Sequence, residues 1–497
     1  MIISLKRPTI GPILGARTYG DGNVAQSVMV RGRDEWADQT CFFHLTSDDG
    51  REDSVFKIPI SKHSRQDVTG RLILKGLTYD TNYRYRVGMV SGNHAINTAK
   101  NAILKGGLKG SFSTSNPDTS VTRFVFGSCC HFSLLGINQA DDAAFKTMYG
   151  QWFGPEQIKD DFILMLGDQI YGDHYNKRGL VATLPILDKR KLTLNHYLSH
   201  YKKAFGKRHK RTVMASIPTY MIFDDHEVHN NWGSNAFFDD HEDFRVLRDA
   251  LHAYHLYQVS HPDIKIPRLS DIAFEKPLPK AKYYYEFTHG KNDFFVMDTR
   301  YEKIPQKQNL RMISKTQMSE LKAFLSRGQN RIKFIVSSVP MLPDAELSKL
   351  NQVLDTSPED RWEGHTDQRK EILDHIKRNC KKGKNPNVIV LSGDVHVSYA
   401  FSLISDDDSS FKLHQITSSA FNWGIGLQDS NFSKSAPLRG TDKEYRPKNL
   451  SGRVIHNDNF CRVIVKTDKV DIRFYHAKSG KTLKTVTLDL ILPVEPS

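Results

Sequence analysis

Four segments of this chain end an apolar run in groups that bind metals or move protons. FVFGSCC (124–130) closes on Ser128, Cys129 and Cys130, and FILMLGDQIYGD (162–173) carries Asp168 with Tyr171 three residues on. TYMIFDDHEVHNNW (219–232) carries Asp225, His226 and Asn230, and NVIVLSGDVH (387–396) carries Asp394 and His396. A thiolate ligates transition metals. A carboxylate can bridge two ions, a phenolate suits a hard ion of high charge, and an imidazole serves as ligand or proton donor. Asp394 and His396 lie two apart in an extended segment, so they point to one side. Each cluster alone has a plain structural explanation: free Cys is usually a small buried hydrophobe, and Asp168 or Asp173 could cap a helix. Four of them at strand ends are harder to explain that way, because ligand sites in open α/β sheets gather at the carboxyl ends of strands. Thiol, phenol, imidazole, amide and several carboxylates together suit two ions of different character. Two ions can polarise a phosphoryl group, hold a hydroxide and stabilise a leaving oxygen.

The elements that must position these groups alternate. Further short apolar runs occur in NDFFVMDTR (292–300) and IKFIVSSVP (332–340). Helical patterns lie between, as in SKTQMSELKAFLSR (314–327), where Met318, Leu321 and Leu325 recur at helical spacing. This alternation predicts an α/β class with sheets covered by helices. Residues 1–118 read differently. VAQSVMVRG, TCFFHLTS, SVFKIPI, GRLILKGL and NYRYRVGMV are short β-rich segments separated by turn clusters, which predicts an all-β sandwich. STSNPDTS (113–120) is a linker composition, so the expected division is 1–118 and 119–497. The tail from Cys461 predicts three more strands.

The chain has 497 residues, 39% hydrophobic and 25% charged, which excludes a disordered chain or a coiled-coil rod. Five Cys make no disulfide framework. No apolar run approaches the ~20 residues of a membrane span. Seventy Lys and Arg against 56 Asp and Glu give a net charge of +14, which invites a polyanion. The densest run, YKKAFGKRHKR (201–211), has no accompanying aromatic-and-basic motif, and a solvated helix face is the favoured reading.

GSC, GDQIY, DDHEVHNN and SGDVH, in this order and after a β-sandwich, resemble the alkaline phosphatase D (PhoD-like) family of calcineurin-like metallophosphoesterases. The Gly-Asn-His-Glu block usual there stands here as Asp-Asp-His-Glu, and Gly-His-x-His as Gly-Asp-Val-His. The resemblance implies a four-layer α/β/β/α domain, preceded here by a fibronectin III/Ig-like sandwich. It implies that Asp168 bridges two metals and that Cys129 and Tyr171 bind ferric iron with His396 nearby. Asp225, Asn230 and Asp394 would serve a calcium side, and His226 would protonate the leaving oxygen. Zinc, manganese and magnesium stay open as alternatives. Asp298 and Arg300, in MDTR, also look like a family block; Arg300 would orient the site or touch phosphate, or else pair with a neighbouring Asp. Arg268 weakly matches a phosphate-binding Arg.

The expected activity is that of a phosphoric ester hydrolase, in which a metal-bound hydroxide attacks small monoesters or diesters. The rivals are an inactive, polyanion-binding phosphatase-like protein and a nuclease. No twin-arginine or secretory pattern follows Met1, so the expected location is cytoplasmic, or periplasmic or secreted if the native start lies upstream. Nor does a capping helix show at the C-terminus, as it does in some relatives. Oligomeric state is not legible.

Overall fold

The computed structural model describes residues 5–491 except 21, 37, 59, 61–66, 93, 132–141, 178–180, 182–183, 234–240, 260–281, 305–309, 329–330, 345–359 and 424–435.

Two seven-stranded sheets stack in the C-terminal part. The first runs Thr219–Ile222, Phe162–Leu166, Thr122–Cys130, Asn459–Val465, Lys469–His476, Thr482–Asp489, with Ser419–Asn422 added beside Thr122–Cys130. The second runs Tyr285–His289, Asn292–Val296, Ile332–Val336, Val388–Ser392, Lys412–Thr417, Tyr399–Ser405, Tyr445–Asn449. The strands that carry the chemical motifs pair in parallel. Parallel strands are covered on both faces, which is why they read as unbroken apolar runs.

Alternation along each strand sorts side chains between two cores. Phe294, Val296, Phe334, Val336, Ile389 and Leu391 join the core between the sheets. Their neighbours Phe295, Ile335, Val388 and Val390 face the opposite way, onto the helices Lys315–Ser326 and Thr366–Lys381. Phe124, Phe162, Phe294 and Phe334 interlock between the sheets, with centroids 4.7–5.5 Å apart in the stacked and edge-on pairs. The helices Ala143–Phe153, Leu194–Phe205, Arg208–Met214 and His241–Tyr257 cover the outer face of the first sheet. The result is the α/β/β/α layering.

The N-terminal sandwich packs a five-stranded sheet (Leu5–Lys6, Gln39–Ser47, Asp53–Ile58, Asn82–Ser91, Leu108–Ser113) on a three-stranded one (Ile10–Gly20, Asn23–Arg31, Thr69–Leu77). Its core includes Val28, Phe43, Leu45, Tyr85 and Val87. The all-β expectation is corrected at one point. Ile96–Gly106 is a helix whose Ala99 and Ile103 pack against Phe42 and Val90. Ile10, Ile13, Ala16 and Met29 do not join the sandwich core; they join the core of the C-terminal part.

The solvated-face reading of the basic run 201–211 is corrected at Lys210 alone, since its other Lys and Arg are partly or fully exposed. Tyr201, Phe205 and Lys210 are buried, and Lys210 sits over the Phe205 ring at 4.6 Å. Among the described residues no helix is long and apolar enough to cross a membrane.

Candidate metal centre

Parallel pairing brings the carboxyl ends of the motif strands to one edge of the stacked sheets. Two glycines let the ends meet. A Cβ at Gly167, which has φ +91°, would strike Asp224, and a Cβ at Gly393 would strike Ser128 across the two sheets. Four donors sit in the left-handed region that L-residues rarely adopt: Cys129 (φ 58°), Asp168 (54°), Asp394 (71°) and His396 (54°). Non-glycine residues are held there only where the surroundings over-determine them, and such positions concentrate at functional sites.

The donors form two groups that share Asp168. Cys129, Asp168 and His396 offer atoms within 4.8 Å of one another, as do Asp168, Asp224, Asp225 and Asp394. Tyr171 belongs with the first group. Its hydroxyl lies 3.3 Å from Asp168 Oδ2 and 3.2 Å from His396 Nε2, while Cys129 Sγ is 3.4 Å from the same Asp168 oxygen. Trp423 stacks on the His396 ring at 3.5 Å.

Oxygens stand ready for a cation. Asp168 Oδ1, Asp224 Oδ2, Asp225 Oδ1 and Asp394 Oδ2 are buried and make no hydrogen bond. Burial, with Asp225, Asp224 and Glu227 close by, pushes the Asp168 carboxyl well above its usual range, against the pull of His226. A cation shared between such carboxylates relieves this repulsion. Burial and Asp168 likewise raise the Cys129 thiol, and burial with Cys129 and Asp168 raises the Tyr171 phenol, so both need a cation to ionise. Burial, His226 and Arg361 hold His396 well below the usual histidine range, in the neutral form a metal ligand requires. The residues present therefore fit two cations, one on sulfur, phenol and imidazole, the other on carboxylates.

His226 has a different environment. Its Nδ1 lies 2.8 Å from Asp173 Oδ1. Burial disfavours its charge, but Asp173, Asp225 and Asp168 outweigh burial and hold it well above the usual range. Asp173 is itself fully buried. His226 and His174 hold it ionised against its burial, and its second oxygen accepts the Asn230 backbone N–H at 2.9 Å. The Asn230 side chain is on the exposed side of this loop.

Of the roles open to Arg300, the structure favours pairing with a neighbouring Asp and corrects the phosphate contact. Asp298 is buried and caps a turn, accepting the N–H groups of Arg300 (3.0 Å) and Tyr301 (2.8 Å). The Arg300 side chain has no solvent exposure. It pairs with Asp224 and Asp360 and lies 3.6 Å from Asp225. Fully buried and paired with these carboxylates, it orients them and does not face solvent. Arg268 lies outside the described residues.

Sequence reasoning missed Glu227, and its place three residues after Asp224 was the available signal. Its Oε2 accepts the backbone N–H of Asp168 (2.9 Å) and of Asp224 (2.8 Å). Its Oε1 accepts the N–H of Gln169 (2.7 Å) and the Gln258 amide (2.8 Å). One buried carboxylate thus ties together the ends of two strands.

A family model described as PhoD-like phosphatase matches residues 124–470. The chain belongs to the PhoD-like phosphatase family. Alkaline phosphatase D of Bacillus subtilis (strain 168) is 29% identical over 301 residues, which are 57% of this chain and 47% of that protein. The match thus spans about half the length of that curated relative. Among solved structures, that of PhoD superposes with a TM-score of 0.67 at 16% identity, covering 98% of this chain and 93% of the other. The purple acid phosphatase PPD1 from yellow lupin (Lupinus luteus) seeds gives 0.57 at 12% identity, over 95% and 73%. These likenesses support the metallophosphoesterase fold. The family match omits the sandwich and takes in every motif strand of the centre.

Proposed function

We propose that the chain is a metal-dependent phosphoesterase acting on small phosphate monoesters, diesters or both. The observation that carries this is Asp168, one buried carboxylate common to a thiol–phenol–imidazole group and a carboxylate group. In the finer reading, Cys129, Tyr171, His396 and Asp168 would hold ferric iron, and Asp168, Asp225 and Asp394 would hold calcium. Asn230, through its exposed side chain, would serve that side only by turning inward. Two cations there supply Lewis acidity toward a phosphoryl oxygen and toward water.

The protein's own groups do the rest. Asp173 fixes the His226 ring through Nδ1 and favours its protonated form against burial. His226 Nε2 then donates a proton to the leaving oxygen. Arg300 and Glu227 hold Asp224, Asp225 and Asp168 in place.

The test is hydrolysis of a chromogenic phosphodiester and monoester by protein with measured metal content, before and after chelation. Activity lost with the metal and restored with it supports the reading. Metal-loaded protein that hydrolyses neither would leave the polyanion-binding alternative. Cleavage confined to nucleic acid, falling steeply with salt, would favour the nuclease.

A further inference from the structure

Two imidazoles stand at the centre, and they are held in different ways. His226 is fixed by a hydrogen bond between its Nδ1 and Asp173. A metal-binding imidazole is usually oriented in the same manner, its second nitrogen donating to a carboxylate or a carbonyl. His396 departs from that rule. Its Nε2 lies 3.2 Å from the Tyr171 hydroxyl, and among the described residues its Nδ1 has no hydrogen-bond partner. An aromatic ring stands where that partner would act. The indole of Trp423 lies flat on the imidazole, with centroids 3.5 Å apart and planes inclined by 12°. The same indole meets the Tyr171 ring at 5.5 Å. It therefore packs on both ring donors of the sulfur-and-phenol side. The torsion that turns an imidazole about its Cβ–Cγ bond is broad and shallow, so a ring without a bond at Nδ1 needs another restraint.

The indole is itself fixed from the backbone. Ser419–Asn422 runs parallel to Thr122–Cys130, with Asn422 opposite Cys130. The Asn422 carbonyl accepts the His131 N–H at 2.8 Å, and the Asn422 amide donates to the His131 carbonyl at 2.7 Å. The Trp423 N–H donates to Asp458 Oδ1 at 2.9 Å. At the other end of this short strand, Ser419 Oγ lies 3.1 Å from Cys129 Sγ and accepts the His396 N–H at 3.1 Å. One strand thus ties the backbone of His396, the thiol of Cys129 and the base of the indole into a single frame, as a pre-organised ligand set requires.

We infer that Trp423 is a positioning residue for the metal: its indole face, in place of a hydrogen bond at Nδ1, sets the plane in which His396 offers Nε2 to the cation on the sulfur-and-phenol side. This rests on the two-cation reading of the centre. The effect is confined to the side that His396 serves.

The experiment titrates Co2+ into metal-free protein, with the thiolate-to-cobalt charge-transfer band marking occupation of the Cys129 side, and follows Ca2+ binding by calorimetry. Wild type, Trp423→Phe and Trp423→Leu are compared, each also in a His396→Ala background. Expected are Co2+ affinity down about tenfold in Trp423→Leu, a smaller loss in Trp423→Phe, which keeps a flat face, and Ca2+ affinity unchanged in both. In the His396→Ala background the same substitutions should change Co2+ affinity little, since the ring they position is gone. Should Trp423→Leu fail to fold, the Trp423→Phe cycle with His396→Ala decides. Unchanged Co2+ affinity in the folded Trp423 variants overturns the inference and leaves the metal centre standing. So does a loss that Phe and Leu share equally, or one that persists without His396, since the indole would then fill space or act through Tyr171. Wild type that gives no thiolate band with Co2+ removes the two-cation reading and the inference with it. Wild type that gives the band and the expected cycle but hydrolyses neither ester sinks the activity and keeps the role of the stack.

Discussion

The N-terminal sandwich and the C-terminal double sheet both bury their strands in layered cores, but they leave different residues unsatisfied. Among the described residues up to 118, one buried side-chain atom, Arg17 Nη2, lacks a hydrogen bond. Left-handed non-glycine residues there, Asp67, Val68 and Asp80, lie outside the strands, at turn-like positions. In the C-terminal part the orphaned oxygens of Asp168, Asp224, Asp225 and Asp394 converge, and the left-handed residues Cys129, Asp168, Asp394 and His396 stand at the same edge. A scaffold satisfies its polar groups, whereas a site keeps some unsatisfied for a ligand. The sandwich reads as support, and the metal centre is where stability has been exchanged for chemistry.

The sharpest way to break this comparison is Asp168→Asn. Asn tolerates the left-handed backbone and keeps the N–H that Glu227 accepts. It removes the charge that two cations would share. Hydrolysis should fall by at least about 10³-fold while the thermal midpoint stays within a few degrees. Activity within tenfold of wild type at matched metal content would sink the bridging role.

Next comes Glu227→Gln. Each oxygen of Glu227 accepts two donors, so an amide at either position sets an N–H against two N–H groups. Metal affinity should weaken by roughly 10- to 100-fold, as for other residues that orient ligands. Titrating metal into the apo-protein checks this. Affinity equal to wild type would mean that the two strand ends hold Asp168 without help.

Within the centre, the comparison is between the sulfur-and-phenol side and the carboxylate side. If iron occupies the first, protein as purified should absorb in the visible through phenolate or thiolate charge transfer. Tyr171→Phe should shift or remove the band and lower activity by about tenfold. Colourless, active protein that lacks iron by elemental analysis would move the proposal to zinc or manganese and leave Asp168 as bridge.

What was legible in the sequence follows from what a linear pattern carries. The strand ends were readable because parallel strands are apolar throughout and their first polar residue marks the exit, as at Asp168 and Asp394. The partners of those residues were not. Arg300 follows a strand in the same way, but nothing along the chain says that Asp224 and Asp360 enclose it. Arg361 sits in an unremarkable DRWEG stretch, and only the fold carries it to Asp394. Lys210 was hidden among exposed cations because charge runs are usually solvated faces, whereas this side chain is fully buried. The helix Ile96–Gly106 carried its spacing in Ile96, Ala99 and Ile103, within a region whose turns and strands favoured a β reading.

The smallest effect tests how firmly the sandwich supports the site. Composition suggested two parts that fold separately about 113–122. Yet Ile10, Ile13 and Met29 belong to the C-terminal core, and Tyr85 donates to the Ala215 carbonyl at 2.6 Å. Lys202 reaches Asp67 at 2.8 Å, beside the Arg31–Asp67 pair. Because Lys202 is 38% exposed, solvent screens its contribution to about 0.5–1 kcal/mol. Lys202→Met should therefore lower the thermal midpoint by only a few degrees and leave kcat unchanged, since no donor of the centre touches this pair. Its clearer mark should be faster proteolytic cleavage between 113 and 122, with the two fragments still eluting together, as a shared apolar core requires. Fragments that separate after cleavage and keep full activity would show that the sandwich is a tethered neighbour. A fall in kcat on Lys202→Met would show the reverse, that its docking is transmitted to the metal centre.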